Sequence, residues 1–158
     1  GPRHVVFSRD GSRMYVLGEI QSTVTAFHPL GTDDFVPTSF QRISALPKGY
    51  SGRNDAAEIA LHPSGKFLYT SNRGNDTIAV FDVKPRGGRL SLSSNVSTGG
   101  KEPRHFAIDP TGRFLLAENQ NSNSIVVFRI NAETGALSQT SVTEGVPSPV
   151  CLVFLQAH

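Results

Sequence analysis

The chain of 158 residues has no tryptophan, one methionine and one cysteine. With Cys151 alone, an internal disulfide is impossible, which fits a reducing compartment and leads to the expectation of a cytoplasmic protein. No stretch approaches the roughly 18 consecutive apolar residues of a membrane-spanning helix, and no membrane partner is expected. Fifteen Lys and Arg stand against 13 Asp and Glu, a net charge of +2. That excess is too small, and too scattered, to call for nucleic acid or an anionic membrane. The five histidines (His4, His28, His62, His105 and His158) are dispersed, without HExxH or CxxC spacing, so neither a metal nor a cofactor is expected. A GxSxG elbow is missing too, which argues against a serine nucleophile. No segment carries a sustained helical period with caps.

What the sequence does have is an internal echo. "SRDGSRMYVLGE", "HPSGKFLYTSNR" and "DPTGRFLLAENQ" align on Gly11, Gly65 and Gly112, which are 54 and 47 residues apart. Tyr15 and Tyr69 then coincide with Leu116, and Phe27 and Phe81 coincide with Phe128. Each unit reads as four short strands rich in β-branched and aromatic residues, separated by Gly, Pro, Asn and Asp. In the third unit they are expected near His105–Ile108, Arg113–Ala117, Ser124–Ile130 and Leu137–Val142. The first copy is indistinct between Leu30 and Asn54. Four strands per unit of this length is the pattern of a β-propeller blade. The fold class is therefore all-β, a partial propeller with blades at 1–54, 55–102 and 103–146. A closing strand is expected within 147–158, at Val150–Phe154. Three blades fall short of the usual count of about four to eight, so either missing N-terminal blades or a second copy is expected to complete the ring.

The echo also sorts scaffold from chemistry. Seven residues before each turn glycine stand His4, Glu58 and His105; Cys151 takes this place in the partial copy. Eight residues after it stand Glu19, Arg73 and Gln120. A hairpin around Asp10-Gly11 pairs His4 with about Leu17, so both sets lie at one end of a blade. First strands line the channel of a propeller, which brings these groups to one mouth. Arg104 joins them. Imidazoles transfer protons, carboxylates orient them, and guanidiniums bind anions. Arg3, next to His4 in an extended strand, is expected on the opposite face in a structural role. His62 is expected at the surface. Phe27, Phe81 and Phe128 are expected between blades, and Cys151 is expected as a small buried hydrophobe.

Taken in order, "GPRHVVFS", "LGE", "NDAAEIALHPSGKFLYTSNRG", "PRHFAIDPTGRFLLAENQ" and "VPSPVC" resemble the lactonase family of seven-bladed propellers. That family includes bacterial-type 6-phosphogluconolactonase and the fungal 3-carboxy-cis,cis-muconate lactonizing enzyme. The resemblance covers essentially the whole chain and places it in the C-terminal half. It implies hydrolysis of 6-phosphoglucono-1,5-lactone, a small anionic sugar lactone, in the pentose phosphate pathway. By motif match His4, Glu19, Glu58 and His105 would be catalytic, and Arg73 and Arg104 would bind substrate; Gln120 is expected to bind substrate from its place in the repeat. "LGE" departs from the "NE" the family pattern leads one to expect. The alternatives are a carboxy-muconate cycloisomerase, a non-catalytic binding propeller, and a chain inactive by itself.

Overall fold

The computed structural model describes residues 1–28 and 37–155. Leu30 and His158 lie outside the described residues.

Three four-stranded antiparallel sheets follow one another along the chain. The first holds β1 (Pro2–Phe7), β2 (Met14–Gly18), β3 (Thr23–Phe27) and β4 (Ser39–Ser44). The second holds β5 (Asp55–Leu61), β6 (Phe67–Arg73), β7 (Thr77–Val83) and β8 (Leu90–Ser97). The third holds β9 (Pro103–Ile108), β10 (Phe114–Asn119), β11 (Ser124–Ile130) and β12 (Leu137–Glu144), with one 3₁₀ turn at Gln120–Ser122. Within each sheet the strand order is the chain order, and the first strands β1, β5 and β9 stand side by side. This is the arrangement of successive propeller blades.

The echoing glycines set the first hairpin of every blade. Gly11, Gly65 and Gly112 have φ of +69°, +72° and +73°, a left-handed conformation that glycine adopts without a Cβ clash. Asp10 and Asp109 tighten their turns by accepting hydrogen bonds from the amides of Ser12 and Thr111.

Two apolar cores fill the gaps between sheets. Tyr15, Leu17, Val24, Leu68 and Phe81 pack between the first and second. Tyr69, Ile78, Phe106, Leu115 and Phe128 pack between the second and third. Each fully buried side chain of this size contributes about 1.5–3 kcal/mol. Polar staples cross both gaps. The Tyr15 hydroxyl donates to the Gly88 carbonyl, and the Tyr69 hydroxyl to the Gly135 carbonyl, each at 2.8 Å. Asn72 Nδ2 donates to the Ala45 carbonyl at 2.9 Å, and Asn119 Nδ2 to the Thr98 carbonyl at 3.2 Å.

Three side chains sit differently from expectation. Phe81 and Phe128 are buried, but Phe27 is half-buried, because its face of the first sheet has no covering sheet among the described residues. His62 is buried, not at the surface. Its Nε2 donates to the Gly112 carbonyl at 2.8 Å while its Nδ1 accepts from the Ser64 amide at 3.1 Å, so the ring ties two blade turns together. Cys151 is exposed rather than buried. Val150–Phe154 lies outside the three sheets, and Leu155 beside it is 90% exposed. A strand needs a hydrogen-bonding neighbour, and none of the three sheets supplies one there.

Candidate active site

The start of each first strand carries the same irregularity. Pro2 pairs with Gly18 and His4 with Leu17, so Arg3 is an inserted residue. Pro103 pairs with Asn119 and His105 with Glu118, so Arg104 is inserted in the same way. In the second blade the register slips between Ala56 and Ile59. There the Glu58 amide donates to the Ser71 hydroxyl at 3.0 Å. Bulges of this kind re-aim side chains at sheet edges and rims. The recurring Pro-Arg-His triplet is thus proline at the first residue of an edge strand, where a missing N–H is tolerated, followed by the bulge.

The bulges put two clusters at one end of the blades. In the first, His4 Nδ1 is 3.7 Å from Glu58 Oε1, and His105 Nε2 is 3.8 Å from Glu58 Oε2. Glu58 therefore lies between two imidazoles contributed by the neighbouring blades. On its other side, His105 Nδ1 is hydrogen-bonded to Glu118 Oε1 at 2.8 Å. The Glu118 side chain is 1% exposed and that of His105 20%, against 44% for His4. Glu118 Oε2 has no hydrogen-bond partner among the described residues. The Glu118 hydrogen bond raises the His105 pKa above its ordinary value, outweighing the opposing effect of burial.

In the second cluster Glu19 accepts from Arg3 Nη1 at 3.1 Å and from Arg73 Nη2. The Arg73 hydrogen bond holds the Glu19 carboxyl below its usual range. Arg73 also donates to the Asp55 carbonyl, and Arg3 to the Ala57 carbonyl at 2.8 Å. Arg3 is therefore not turned away from the mouth, as strict strand alternation predicts. The bulge breaks the alternation and points it at Glu19. For the same reason Glu19 faces guanidiniums rather than an imidazole. Arg104 and Gln120 are half-buried at the same end and make no side-chain hydrogen bond among the described residues. A cleft of about 280 Å³ lined by Arg53, Asp55, Arg73, Gly74 and Glu102 opens beside the second cluster.

Glu118 was not singled out from sequence, although "LLAENQ" contains the signal. A carboxylate there interrupts a strand interior, at the position of Leu17 and Ser71 and directly across from His105. Among the described residues, no group of three or more His, Cys, Asp or Glu is arranged to hold a metal ion. No helix of the described residues is long and apolar enough to cross a membrane.

Fold and site together define a section of a β-propeller with ionisable groups clustered at one end of its first strands. Residues 1–154 match the family described as Lactonase, 7-bladed beta-propeller, and the chain belongs to that family. It is 37% identical over 160 aligned residues to the 6-phosphogluconolactonase of Bacillus subtilis, covering 98% of this chain and 44% of that one. The periplasmic gluconolactonase of Pseudomonas aeruginosa superposes with a TM-score of 0.91 at 35% identity, over 99% of this chain and 43% of the other. A Lactobacillus plantarum protein superposes with a TM-score of 0.93 at 38% identity, over 99% and 45%. The chain thus spans less than half the length of these relatives.

Proposed function

We propose that the complete protein containing this chain hydrolyses a sugar lactone, with 6-phosphoglucono-1,5-lactone as the substrate and 6-phosphogluconate, a pentose phosphate pathway intermediate, as the product. The observation that carries the reading is the His4–Glu58–His105–Glu118 array across three adjacent blades, in a chain of the lactonase family.

His105 is the general base. Its Nδ1–H is held by Glu118, which leaves the Nε2 lone pair facing the channel beside Glu58. Nε2 takes a proton from water as the water oxygen attacks the lactone carbonyl carbon. The resulting oxyanion collapses, the ring C–O bond breaks, and the imidazolium returns its proton to the departing ring oxygen. Glu58 favours the imidazolium by its charge. His4, more exposed and 3.7 Å from Glu58, is the second proton-transfer group.

Two kinds of arginine surround this chemistry. Arg73 is occupied by Glu19 and backbone carbonyls, so it and Arg3 fix Glu19 in place and present a paired cluster whose charge is reduced to a single net positive one. Arg104 pairs with no carboxylate among the described residues, and the position equivalent to Glu19 in its blade is Gln120. It is the guanidinium available to a phosphate or to the oxyanion, and Gln120 adds a neutral donor. The division into blades at 54 and 102, the ring completed by N-terminal blades, and a cytoplasmic location belong to the same proposal. The single cysteine supports that location, whereas one similar structure is of a periplasmic gluconolactonase.

The test is turnover of the lactone by the full-length protein. His105→Ala is expected to lower kcat by roughly 10²–10⁴-fold, with an unchanged circular dichroism spectrum. Unchanged kcat in His105→Ala and in His4→Ala would remove the imidazole mechanism. Activity on a carboxylated muconate with none on the lactone would replace hydrolysis by cycloisomerisation.

A further inference from the structure

The ends of the blades remote from the candidate active site carry a different electrostatic pattern. Every ion pair among the described residues involves Arg3, His4, Arg53, Arg73, Lys101 or His105, all near the site end of the sheets. At the opposite end, roughly 20 Å away along a six-residue strand, Arg9, Arg13, Lys66 and Lys84 line a cleft of about 370 Å³ between the first and second blades. None of the four has an acidic partner among the described residues. Arg86 and Arg89 extend the basic surface along the β7–β8 turn. One acid, Asp10, also lines the cleft, but its oxygens are taken by the Ser8 and Ser12 hydroxyls and the Ser12 amide.

One residue distinguishes this junction from the next. His62 stands three positions before Gly65, and its ring spans the junction to Gly112. A Cβ on Gly112 would lie 2.7 Å from that ring. The equivalent residue one blade earlier is Ser8, whose short side chain bonds Asp10 and the Arg13 amide within its own turn. Gly65 is open, with nothing among the described residues within 4 Å of the Cβ position. Nor does the fold demand the cations. The β7–β8 turn is "KPRGGR" and the corresponding β11–β12 turn is "NAETGA". Both turns accept the same tyrosine hydroxyl bond, at Gly88 and at Gly135. The second turn does this with Asn131 and Glu133 where the first has Lys84 and Arg86. Arg13 is already positioned, since its Nε donates to the Gly87 carbonyl at 3.1 Å and its guanidinium lies 5.9 Å from the Phe40 ring.

We propose that this inter-blade cleft is a second ligand site, for a small anion bearing two or more phosphate groups, free or as the tail of a nucleotide. Its volume falls in the range of small-molecule clefts. Lysine and arginine side chains are the donors that polyphosphates select. It is independent of the lactonase reading, because none of its residues is in the candidate active site.

The experiment is isothermal titration of the full-length protein with inorganic pyrophosphate, with a nucleoside triphosphate, and with heparin as a linear polyanion. Saturable one-site binding of pyrophosphate is expected. The double variant Lys66→Ala, Lys84→Ala should weaken it at least about tenfold, a loss near 1.4 kcal/mol. Ser8→His, which rebuilds the plug seen at His62, should abolish it. Lactone turnover should survive in the lysine variant, and pyrophosphate binding should survive in His105→Ala. Equal affinity for pyrophosphate and triphosphate assigns the site to phosphate alone, and tighter triphosphate binding adds nucleoside contacts; either result supports the proposal. Absence of saturable pyrophosphate binding, heparin binding alone, or binding unchanged in both cleft variants would overturn it.

Discussion

The middle sheet and the first sheet are built on the same template and are buried very differently. In β6 and β7, residues 67–72 and 77–81 are buried without interruption, whereas β2 and β3 alternate between buried and half-buried. The middle sheet is covered on both faces by its neighbours, and the first on one. On the uncovered side Val5 and Phe7 are 48% and 56% exposed. Apolar side chains on an uncovered sheet face mark a surface made for another sheet, consistent with a chain shorter than its relatives.

Phe81 and Phe27 occupy the same place in the two sheets, and paired substitutions sharpen the contrast. Phe81→Ala should cost about 3–5 kcal/mol, and Phe27→Ala in this chain clearly less, read from urea midpoints. In the full-length protein the two costs should converge; a gap that persists there would break the idea that a missing blade covers Phe27. The next effect in size concerns the staples. Tyr69→Phe leaves the buried Gly135 carbonyl without its partner and should destabilise by about 1–3 kcal/mol. Leu116, at the equivalent place in the third blade, has no hydroxyl, so Leu116→Tyr should bring no comparable gain in this chain.

The smallest effects are in pH. His105 titrates above its ordinary value of 6.5, so the ion pair with Glu118 contributes stability fully present below pH 6.5 and lost as the pH rises through the folded pKa. Glu19 titrates below 4.5, so its contribution is present above pH 4.5 and disappears as the pH falls through its lowered pKa. Urea midpoints followed across pH should show both edges. In Glu118→Gln the upper edge should vanish, and the His105 titration followed by NMR should move down. An unmoved His105 titration would show that Glu118 does not set its proton affinity. Since the titration needs no turnover, it is read separately from the lactonase assay.

Much of this was legible in the sequence, for reasons tied to particular residues. Gly11, Gly65 and Gly112 must take up a left-handed turn, so they fix the hairpins, and the pairing of His4 with Leu17 follows from counting outward. The meeting of His4, Glu58 and His105 was legible once first strands were taken to line the channel. What escaped notice depends on backbone detail with no mark in composition. One inserted residue turns Arg3 towards Glu19. His62 reads as a turn residue until the next blade's Gly112 comes within reach of its ring. Glu118 lies inside a strand, where one expects packing and not proton chemistry. The exposure of Cys151 and of Phe27 has no mark in either residue, because burial belongs to neighbours, and among the described residues no sheet covers them.

The repeated bulge carries a consequence for how such a mouth can change. A residue squeezed out of the ladder owes nothing to the pairing of its strand, so its replacement leaves the sheet intact. Arg3 and Arg104 hold guanidiniums at that place, while Ala57, at the slipped register of the middle blade, offers only its carbonyl to Arg3. The first and third blades thereby project a guanidinium from the rim where the middle blade keeps a buried alanine, and the untethered Arg104 is the tooth that a new specificity could recut without re-forging the wheel.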